Sequence, residues 1–548
     1  MQEIELKFLV PESRLKGLMR QVQVKSSKLT QMAAHYYDTL DQQLAKAGIG
    51  LRIRKEGDAW VQTLKAGGDG IAARLEHNAI LDNEQVQAML DNDALMPDLS
   101  IYKDTPAAAA FDGFKLKELT KKLTQRYVTN VERTTRFLTE KISDDIEDSA
   151  DNCIEVAYDK GEIIHGEDDT QREAIQEIEF ELISGDLDFL FTTAKAWCKR
   201  YKLSLSTVTK AERGGLLIKG QSHSQAIGTN LNELNVSRKT SLPAFVRAAV
   251  HNCLLQILPN SSAIVAGSTD HEHVLQFYIG IDRLLTAITA FASFSDEINP
   301  DWQPILTQTL TLLDDYRELT YLAEHLEPKL QELGAPATDW MTDIEALKIK
   351  PIDAVKANDF QLILLELIAF TMSDPKLEPQ NNKMAIDKLA KILSQQYKEL
   401  LNVEKKRDDR DSNEAEVSDK QSLEAESLET ESLEIKDDEA KSSNEAHSKY
   451  KLYHQLKTLR YISELSVPVF HKKSSKKKTK LWLKNLIKAQ KALNKYQAYT
   501  QYQQRYQIKS ASDSNALYGA GWLVAALEKN HQRAEKRLAK LKDSKKFW

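Results

Sequence analysis

Cysteine, glycine and proline are scarce in this chain of 548 residues. The cysteines are Cys153, Cys198 and Cys253, an odd number at wide spacing with no Cys-x-x-Cys pair. This pattern argues against a disulfide scaffold and a thiolate zinc site, and it favours a reducing compartment. The 20 glycines and 13 prolines are too few for a collagen-like or linker-dominated chain. The low counts agree with a helix-rich protein.

Long apolar runs are missing as well. No stretch reaches the roughly 18 uncharged apolar residues that a membrane span needs. The opening residues, MQEIELKF, include acids where a signal peptide would have an apolar segment. We therefore expect a cytoplasmic protein without a membrane partner.

Charge is small in total and uneven along the chain. The formal net charge is -6, but residues 404–447 alone hold sixteen acidic and seven basic residues, which leaves about +3 for the rest. A weakly basic remainder suits an anionic ligand and is too small to indicate nucleic acid. Residues 404–447, with near-repeats starting at Ser422 and Ser427 and few aromatics, are predicted to be a disordered acidic insert.

Hydrophobic periodicity divides the chain into two parts. Up to about residue 218, several windows alternate polar and apolar residues, which is typical of half-buried antiparallel strands. Helical windows at 12–22, 83–95, 115–123 and 187–201 lie between them. From about residue 228 the period is helical, with stripes such as Leu452, Leu456, Leu459, Ile462 and Leu465. Breaks are expected at Pro259, Pro300, Gly334 and Pro375, so an α+β domain (1–218) precedes an all-α bundle (228–548).

Charged residues concentrate on single faces of the predicted strands. Glu3, Glu5 and Lys7 alternate with apolar residues, and Glu177, Glu179 and Glu181 do the same. A solvated sheet face would explain one such strand. A second strand with three acids on one face needs cations to offset their repulsion, and other strands supply them at Arg52, Arg54, Lys65 and Arg74. If these strands close into a barrel, both signs of charge line a polar lumen suited to a polyanion with a metal ion.

The residues in this order resemble the CYTH, or triphosphate tunnel metalloenzyme, superfamily. Glu3-Ile4-Glu5-Leu6-Lys7 matches its E-x-E-x-K signature. Supporting segments follow at 36–39, 51–54, 62–65, 74–76, 157–161, 177–182 and 210–214. The resemblance implies an eight-stranded antiparallel β tunnel that binds a linear triphosphate and one or two Mg²⁺ or Mn²⁺ ions.

The same resemblance implies roles for individual residues. The metal ligands, or residues that orient the attacking water, would be Glu3, Glu5, Glu177, Glu179 and Glu181. The phosphate oxygens would be bound by Lys7, Arg52, Arg54, Lys65, Arg74, Arg133, Lys210 and Arg213. Glu3, Glu5 and Lys7 would be the catalytic residues. Asp159 and Glu76 are either partners of a lysine or arginine in the lumen or, for Asp159, a turn residue before Gly161.

The helical part resembles a CHAD domain, a module whose histidines and basic residues are associated with polyphosphate binding. The similarity lies at 280–285, 317–330, 454–461 and 483–496. Where the family pattern has a histidine and several arginines, this chain has Leu275, Tyr278, Asp282 and Leu285. The resemblance therefore suggests polyphosphate as a partner, but the missing basic residues at these four positions weaken the case for polyphosphate binding.

Two further features carry weaker signals. His271 and His273 flank Glu272, but two imidazoles without a third ligand nearby are typical of a solvated helix start. The run 471–480 contains six lysines and is either a polyanion patch or a solvated loop.

The leading hypothesis is a metal-dependent inorganic triphosphatase that hydrolyses tripolyphosphate to pyrophosphate and phosphate. The alternatives are a thiamine triphosphatase, a CYTH-type adenylate cyclase and a non-catalytic polyphosphate-binding protein. The five glutamates argue against a pure binder, because carboxylates repel phosphate unless a metal is present.

Overall fold

The computed structural model describes residues 2–67, 71–140, 151–421, 450–470 and 476–548. Its N-terminal part is built on nine antiparallel strands. They are β1 (Gln2–Leu9), β2 (Lys28–Asp38), β3 (Gly50–Glu56), β4 (Ala59–Gly67), β5 (Ala73–Leu81), β6 (Thr124–Glu140), β7 (Asn152–His165), β8 (Arg172–Ser184) and β9 (Ser204–Leu205).

Eight of these strands close into a barrel. The order around it is β5, β4, β3, β2, β6, β7, β8, β1. Residues 2–4 of β1 pair with β5 and residues 5–9 pair with β8, so β1 closes the ring. Short β9 adds to the end of β1 outside the ring. The predicted eight-stranded antiparallel tunnel is confirmed.

Register places the predicted charges opposite one another. Glu3 is paired with Arg74, Glu5 with Glu181 and Lys7 with Glu179. Because side chains alternate along a strand, these residues share the inner face, while Leu6 and Phe8 point outward into a buried core.

Six helices accompany the barrel. They are α1 (Glu12–Val22), α2 (Gln43–Lys46), α3 (Asn83–Asp91), α4 (Leu116–Thr120), α5 (Leu187–Tyr201) and α6 (Lys210–Ile218). The predicted limits of α1 and α5 agree with the structure, whereas α3 and α4 are shorter than predicted. Thr209 caps α6 by accepting a hydrogen bond from the Glu212 amide at 3.0 Å.

The rest of the chain is helical, as predicted. Its helices are α7 (Leu242–Val265), α8 (His271–Ala290), α9 (Trp302–Tyr321), α10 (Glu327–Glu332), α11 (Met341–Glu345), α12 (Pro351–Lys356), α13 (Asn358–Met372), α14 (Ala385–Gln421), α15 (450–466), α16 (Lys476–Lys509) and α17 (Ala516–Lys542). One π-helical turn, Leu322–Leu326, joins α9 to α10. Short 3₁₀ helices lie at Leu99–Tyr102, Pro106–Phe111, Leu231–Glu233, Ala292–Phe294, Pro375–Leu377, Pro379–Asn382 and Val467–Phe470.

The structure differs from two local predictions. Pro259 was predicted to mark a break but lies inside α7, where most of the 24 residues are buried. The burial of apolar side chains on both sides of the proline outweighs the backbone hydrogen bond that it removes. Helix α14 extends over residues 404–421, the first part of the predicted acidic insert. Residues 422–447 lie outside the described residues, as do 471–475 of the lysine-rich run.

The two parts of the chain share one apolar core. Phe8, Phe180 and Phe191 from the barrel side belong to the same buried cluster as Phe245 and Leu365 from the helical side. The exact domain limits, 1–218 and 228–548, stay a prediction. Among the described residues, none of the helices has the length and apolarity needed to cross a membrane.

Candidate functional site

The barrel encloses a cavity of about 1580 Å³. Its wall contains every residue predicted for the site except Glu177 and Arg213. The predicted residues on the wall are Glu3, Glu5, Lys7, Arg52, Arg54, Lys65, Arg74, Arg133, Glu179, Glu181 and Lys210. The closed sheet thus brings together side chains that are up to about two hundred positions apart in the chain.

Glutamates of the first strand surround Lys65. Its Nζ lies 2.8 Å from Glu3, 2.8 Å from Glu76 and 3.6 Å from Glu5. Arg74 lies 3.6 Å from the other oxygen of Glu5. The prediction that Glu76 holds a lysine is confirmed. Two cations thus lie among three carboxyl groups at this end of the cavity.

Burial raises the pKa values of three carboxyl groups on the cavity wall. Desolvation, opposed by Lys65, raises the pKa of Glu3 to about 8. Burial, together with the nearby Glu155 carboxylate, raises the pKa of Glu181 to about 7. Burial also raises the pKa of Glu155. An added cation would stabilise the charged form of carboxyl groups whose pKa is raised in this way.

A second acidic group surrounds Lys210, the first residue of α6. Its Nζ lies 2.7 Å from Asp159, 2.5 Å from Glu177 and 2.8 Å from Glu179. Burial alone would lower the pKa of Lys210, but these carboxylates raise it well above its ordinary value. Arg133 adds two hydrogen bonds to Asp159, at 2.7 and 2.6 Å, and one to Glu179 at 2.5 Å. Asp159 is therefore a lumen partner of cations, one of its two predicted roles.

This second group has the spacing of a metal site but already contains a cation. Oxygens of Asp159, Glu177 and Glu179 lie within 4.8 Å of one another. The Lys210 ammonium occupies the space that they enclose. Glu3, Glu5, Glu155 and Glu181 do not form a group with that spacing within the described residues, and Lys65 likewise contacts Glu3 and Glu5.

The remaining cations form a positive wall. Arg52 donates a hydrogen bond to Tyr36 Oη at 3.3 Å, and Arg54 pairs with Glu56 at the end of its strand. Within the described residues, the buried Nε atoms of both arginines have no hydrogen-bond partner. Burial would raise the pKa of Tyr36, but Arg52 outweighs it and lowers that pKa. A buried arginine Nε without a partner gains a hydrogen bond when an anion binds next to it. This wall is therefore suited to binding an anion.

Lys7 connects this wall to the acidic end. It is 5% exposed, and its ammonium donates a hydrogen bond to the Val208 carbonyl. Desolvation lowers the pKa of Lys7 despite the nearby Glu177 and Glu179. Because burial disfavours the charged form of Lys7, a phosphate oxygen in contact with the ammonium group would stabilise that form.

Glu177 and Arg213 lie behind the cavity wall. Glu177 is 1% exposed and contacts Lys210, while Arg213 donates to Glu173 at 2.6 Å and to the Ala174 carbonyl. These two residues support the wall in this structure. Sequence reasoning missed Glu155, which lies on the cavity wall opposite Glu181. The alternation Glu155, Ala157, Asp159 along β7 could have revealed it.

Four carboxylates of the cavity wall are of the chemical type that binds divalent cations. Glu3, Glu5, Glu155 and Glu181 offer only carboxylate oxygens, the ligands that hard divalent ions prefer. Burial raises the pKa values of Glu3, Glu155 and Glu181, and a bound cation would favour their charged forms.

Sequence comparison detects two families in the order predicted. Residues 1–214 match the CYTH domain model and residues 248–507 match the CHAD domain model. A curated inorganic triphosphatase of Haemophilus influenzae (strain ATCC 51907 / DSM 11121 / KW20 / Rd) is 30% identical over 224 residues, which is 40% of this chain. The aligned region spans 55% of the length of that relative.

Solved structures of both types resemble the two parts. The CHAD domain from the plant Ricinus communis aligns with 59% of this chain and 96% of its own, at a TM-score of 0.41 and 18% identity. A putative adenylyl cyclase from Hippeastrum, described as having a dominant triphosphatase activity, aligns with 40% of this chain and 96% of its own. Its TM-score is 0.29 and its identity 16%.

Proposed function

The chain joins a CYTH domain, residues 1–214, to a CHAD domain, residues 248–507, and from this premise we propose that it is a metal-dependent inorganic triphosphatase. The reaction is hydrolysis of tripolyphosphate to pyrophosphate and phosphate with Mg²⁺ or Mn²⁺. The observation that carries the proposal is one cavity with a group of carboxylates at one end and, on another wall, Arg52 and Arg54, whose buried Nε atoms have no hydrogen-bond partner within the described residues. The inorganic triphosphatase of Haemophilus influenzae, 30% identical over 224 residues, supports the same reaction.

The charges of the cavity residues suggest a different role for the cations and for the glutamates. Arg52, Arg54 and Lys7 would bind oxygens of the phosphate chain, because they are buried and gain a charged acceptor there. Glu3, Glu5 and Glu181 would hold the ion, which supplies charge to the phosphate oxygens and orients the chain. Phosphoryl transfer requires mainly this positioning and charge stabilisation, without a covalent intermediate.

Water is the nucleophile in this scheme. Glu181 would orient the attacking water and accept its proton. It lies opposite Glu5 in the β1–β8 pairing, so both carboxylates face the same part of the lumen. Pyrophosphate leaves as the displaced group.

The deciding assay measures phosphate release from tripolyphosphate, ATP and thiamine triphosphate with Mg²⁺ or Mn²⁺. We expect turnover of tripolyphosphate far above that of ATP and none with a chelator. Glu5→Gln and Lys7→Ala should each lower kcat/KM by about 100-fold or more.

Matched substitutions on the outer surface of the barrel provide the controls. Glu162→Gln and Lys160→Ala alter residues of β7 on its solvent side and should keep full activity. Equal turnover of ATP would reject the inorganic substrate, and full activity of Glu5→Gln would reject the assigned site.

The volume of the cavity also keeps organic triphosphates as candidate substrates. About 1580 Å³ is more space than tripolyphosphate alone fills, so a thiamine or adenosine group would also fit. Thiamine triphosphatase or adenylate cyclase activity is therefore the alternative that the same assay measures. The helical part would act as scaffold, with polyphosphate as its candidate partner.

A further inference from the structure

Two weaker signals of the sequence lie in the helical part and have different outcomes. His273 is buried and its ring bonds the Ser224 carbonyl, so the expected solvated helix start is wrong for this histidine. His271 contacts His325 instead, with 3.2 Å between their Nε2 atoms. Residues 476–480 of the lysine-rich run are not a loop but the first residues of α16. The lysines of the run therefore continue into a long helix.

Helix α16 is basic along its length. Its 34 residues include ten lysines and arginines and no aspartate or glutamate. Exposed lysines recur every three or four positions, which places their side chains in one line on the helix surface. This line, the lysine stripe, consists of Lys477, Lys480, Lys484, Lys488, Lys491 and Lys495.

Helix α17 packs along α16 and adds cations beside the stripe. Residues 529–542 at its end hold six basic residues and one acid, Glu535. Repulsion from Lys484, with smaller contributions from Arg537 and Lys540, lowers the pKa of Lys488. Cations of the two helices are therefore close enough to repel one another, and together they form one basic surface.

The protein itself does not neutralise the stripe. None of its six lysines forms an ion pair with another described residue. The cations of the segment 454–461, which resembles the CHAD pattern, are paired in contrast. Lys457 Nζ lies 2.8 Å from Asp282, and Arg460 Nε lies 2.8 Å from Glu464. A row of cations without carboxylate partners attracts a polyanion.

The stripe lacks the side chains that protein partners usually contact. Between its first and last lysine, the other exposed residues of α16 are Lys478, Leu481 and Asn494, and none of them is aromatic. The cores of protein interfaces are depleted in lysine and enriched in aromatic residues. A membrane surface would require several apolar side chains that insert among the lipids. The stripe thus suits a partner that is recognised by its charge alone.

The length and shape of the stripe favour a rigid phosphate backbone. The eighteen residues from Lys477 to Lys495 span about 27 Å of α-helix. A nucleic acid duplex has a phosphate about every 3.4 Å along each strand, so the stripe can follow about eight base pairs. An exposed helix contacts its ligand from one side only. A flexible chain such as polyphosphate would lose more conformational freedom there than a duplex that is already straight.

We propose that the lysine stripe, together with Arg537 and Lys540 of α17, binds the phosphate backbone of a nucleic acid duplex without reading its bases. Base readout uses mainly arginine, asparagine and glutamine, whereas the stripe consists of lysines. The net charge of the chain conceals this surface, because the acids of residues 404–447 offset it in the sum. None of the stripe lysines lines the barrel cavity, so the surface is separate from the proposed triphosphatase centre.

The test is fluorescence anisotropy of a labelled 20-base-pair DNA duplex with the full chain, titrated at several salt concentrations. Counterion release by about five lysines should lower the binding constant about 500-fold between 50 and 200 mM salt. Lys484→Gln combined with Lys488→Gln should weaken binding and reduce the slope of log K against log salt by about 2. Two duplexes of unrelated sequence should bind equally.

The matched control combines Lys121→Gln with Lys122→Gln, which removes the same charge from exposed positions of the barrel part. It should bind the duplex with the wild-type slope. Thermal unfolding followed by circular dichroism verifies that each variant is folded. Absence of duplex binding at 50 mM salt, or an equal slope in the two double variants, would overturn the proposal.

Two further ligands test the identity of the partner. Polyphosphate and vesicles containing phosphatidylserine are titrated with the same variants. If the stripe variant loses binding to either of them while its duplex binding is unchanged, the surface belongs to that ligand and the proposal is rejected. Triphosphatase activity does not enter any of these measurements.

Discussion

At the scale of single residues, one ammonium group lies among three carboxylates that are spaced closely enough to share a cation. Lys210 occupies the space between Asp159, Glu177 and Glu179, whose oxygens are close enough to share a cation. Removing one member of a buried charge cluster leaves the others uncompensated, which costs more than the cluster contributes.

Lys210→Ala should therefore lower the free energy of unfolding by about 3–5 kcal/mol in the presence of a chelator. It should also leave a carboxylate group that binds a divalent ion. We expect Mn²⁺ to raise the Tm of Lys210→Ala more than that of the wild type. An equal Mn²⁺ shift in both proteins would contradict this view of the cluster.

A glycine pair in α6 gives a second test at this scale. A Cβ at Gly214 would lie 2.2 Å from the ring of Tyr127, whereas one at Gly215 would meet nothing within 4 Å. Tyr127 stacks on Tyr36, the partner of Arg52. Gly214→Ala should destabilise the protein by about 1–3 kcal/mol, and Gly215→Ala should stabilise it by about 0.5–1 kcal/mol. Urea unfolding of both variants measures this, and equal effects would be inconsistent with the close contact.

At the scale of elements, helix α7 of the CHAD domain braces the barrel site. Ser262 Oγ accepts a hydrogen bond from the Thr207 amide at 3.0 Å and donates one to the Leu258 carbonyl at 2.8 Å. The next residue, Val208, provides the carbonyl that Lys7 contacts. The helix therefore positions the backbone segment that holds a proposed substrate-binding lysine.

Ser262→Ala removes the acceptor of the Thr207 amide and should lower kcat/KM for tripolyphosphate about fivefold. The neighbouring Ser261 is a matched control, because its buried hydroxyl has no hydrogen-bond partner within the described residues. Ser261→Ala should retain activity and stability. If both variants have wild-type kinetics, the hydrogen bond between Thr207 and Ser262 has no influence on the site.

At the scale of the whole molecule, the CYTH and CHAD domains share one apolar core. Leu205 of β9 donates its amide proton to Gln361 of α13 at 2.8 Å. Apolar residues of both domains lie in the same buried cluster. Large apolar interfaces couple domains, whereas small polar ones let them move and unfold separately.

We therefore expect a single cooperative unfolding transition despite the two-domain sequence. Tryptophan fluorescence and far-UV circular dichroism in urea should give the same midpoint. Gln361→Ala should lower that midpoint for both probes together. Two separated transitions in the wild type would show that the shared core does not couple the domains.

The sequence predicted the antiparallel strands and the helical part, and its resemblance to the CYTH superfamily predicted the closed barrel and most of the residues on the cavity wall. Strand geometry turns alternate side chains to one face, so the positions of Glu3, Glu5 and Lys7 fix their common side without knowledge of any partner strand. The same local periodicity predicted α1 and α5 with the limits that the structure has.

Only the tertiary structure decided which charges and rings meet. Lys210 lies in a carboxylate group, Glu177 lies behind the cavity wall, and His271 finds His325 rather than His273. Pro259 remains inside α7 because packing there outweighs its local preference. Such contacts join segments far apart in the chain, and their free energies depend on burial and distance, which local periodicity does not contain.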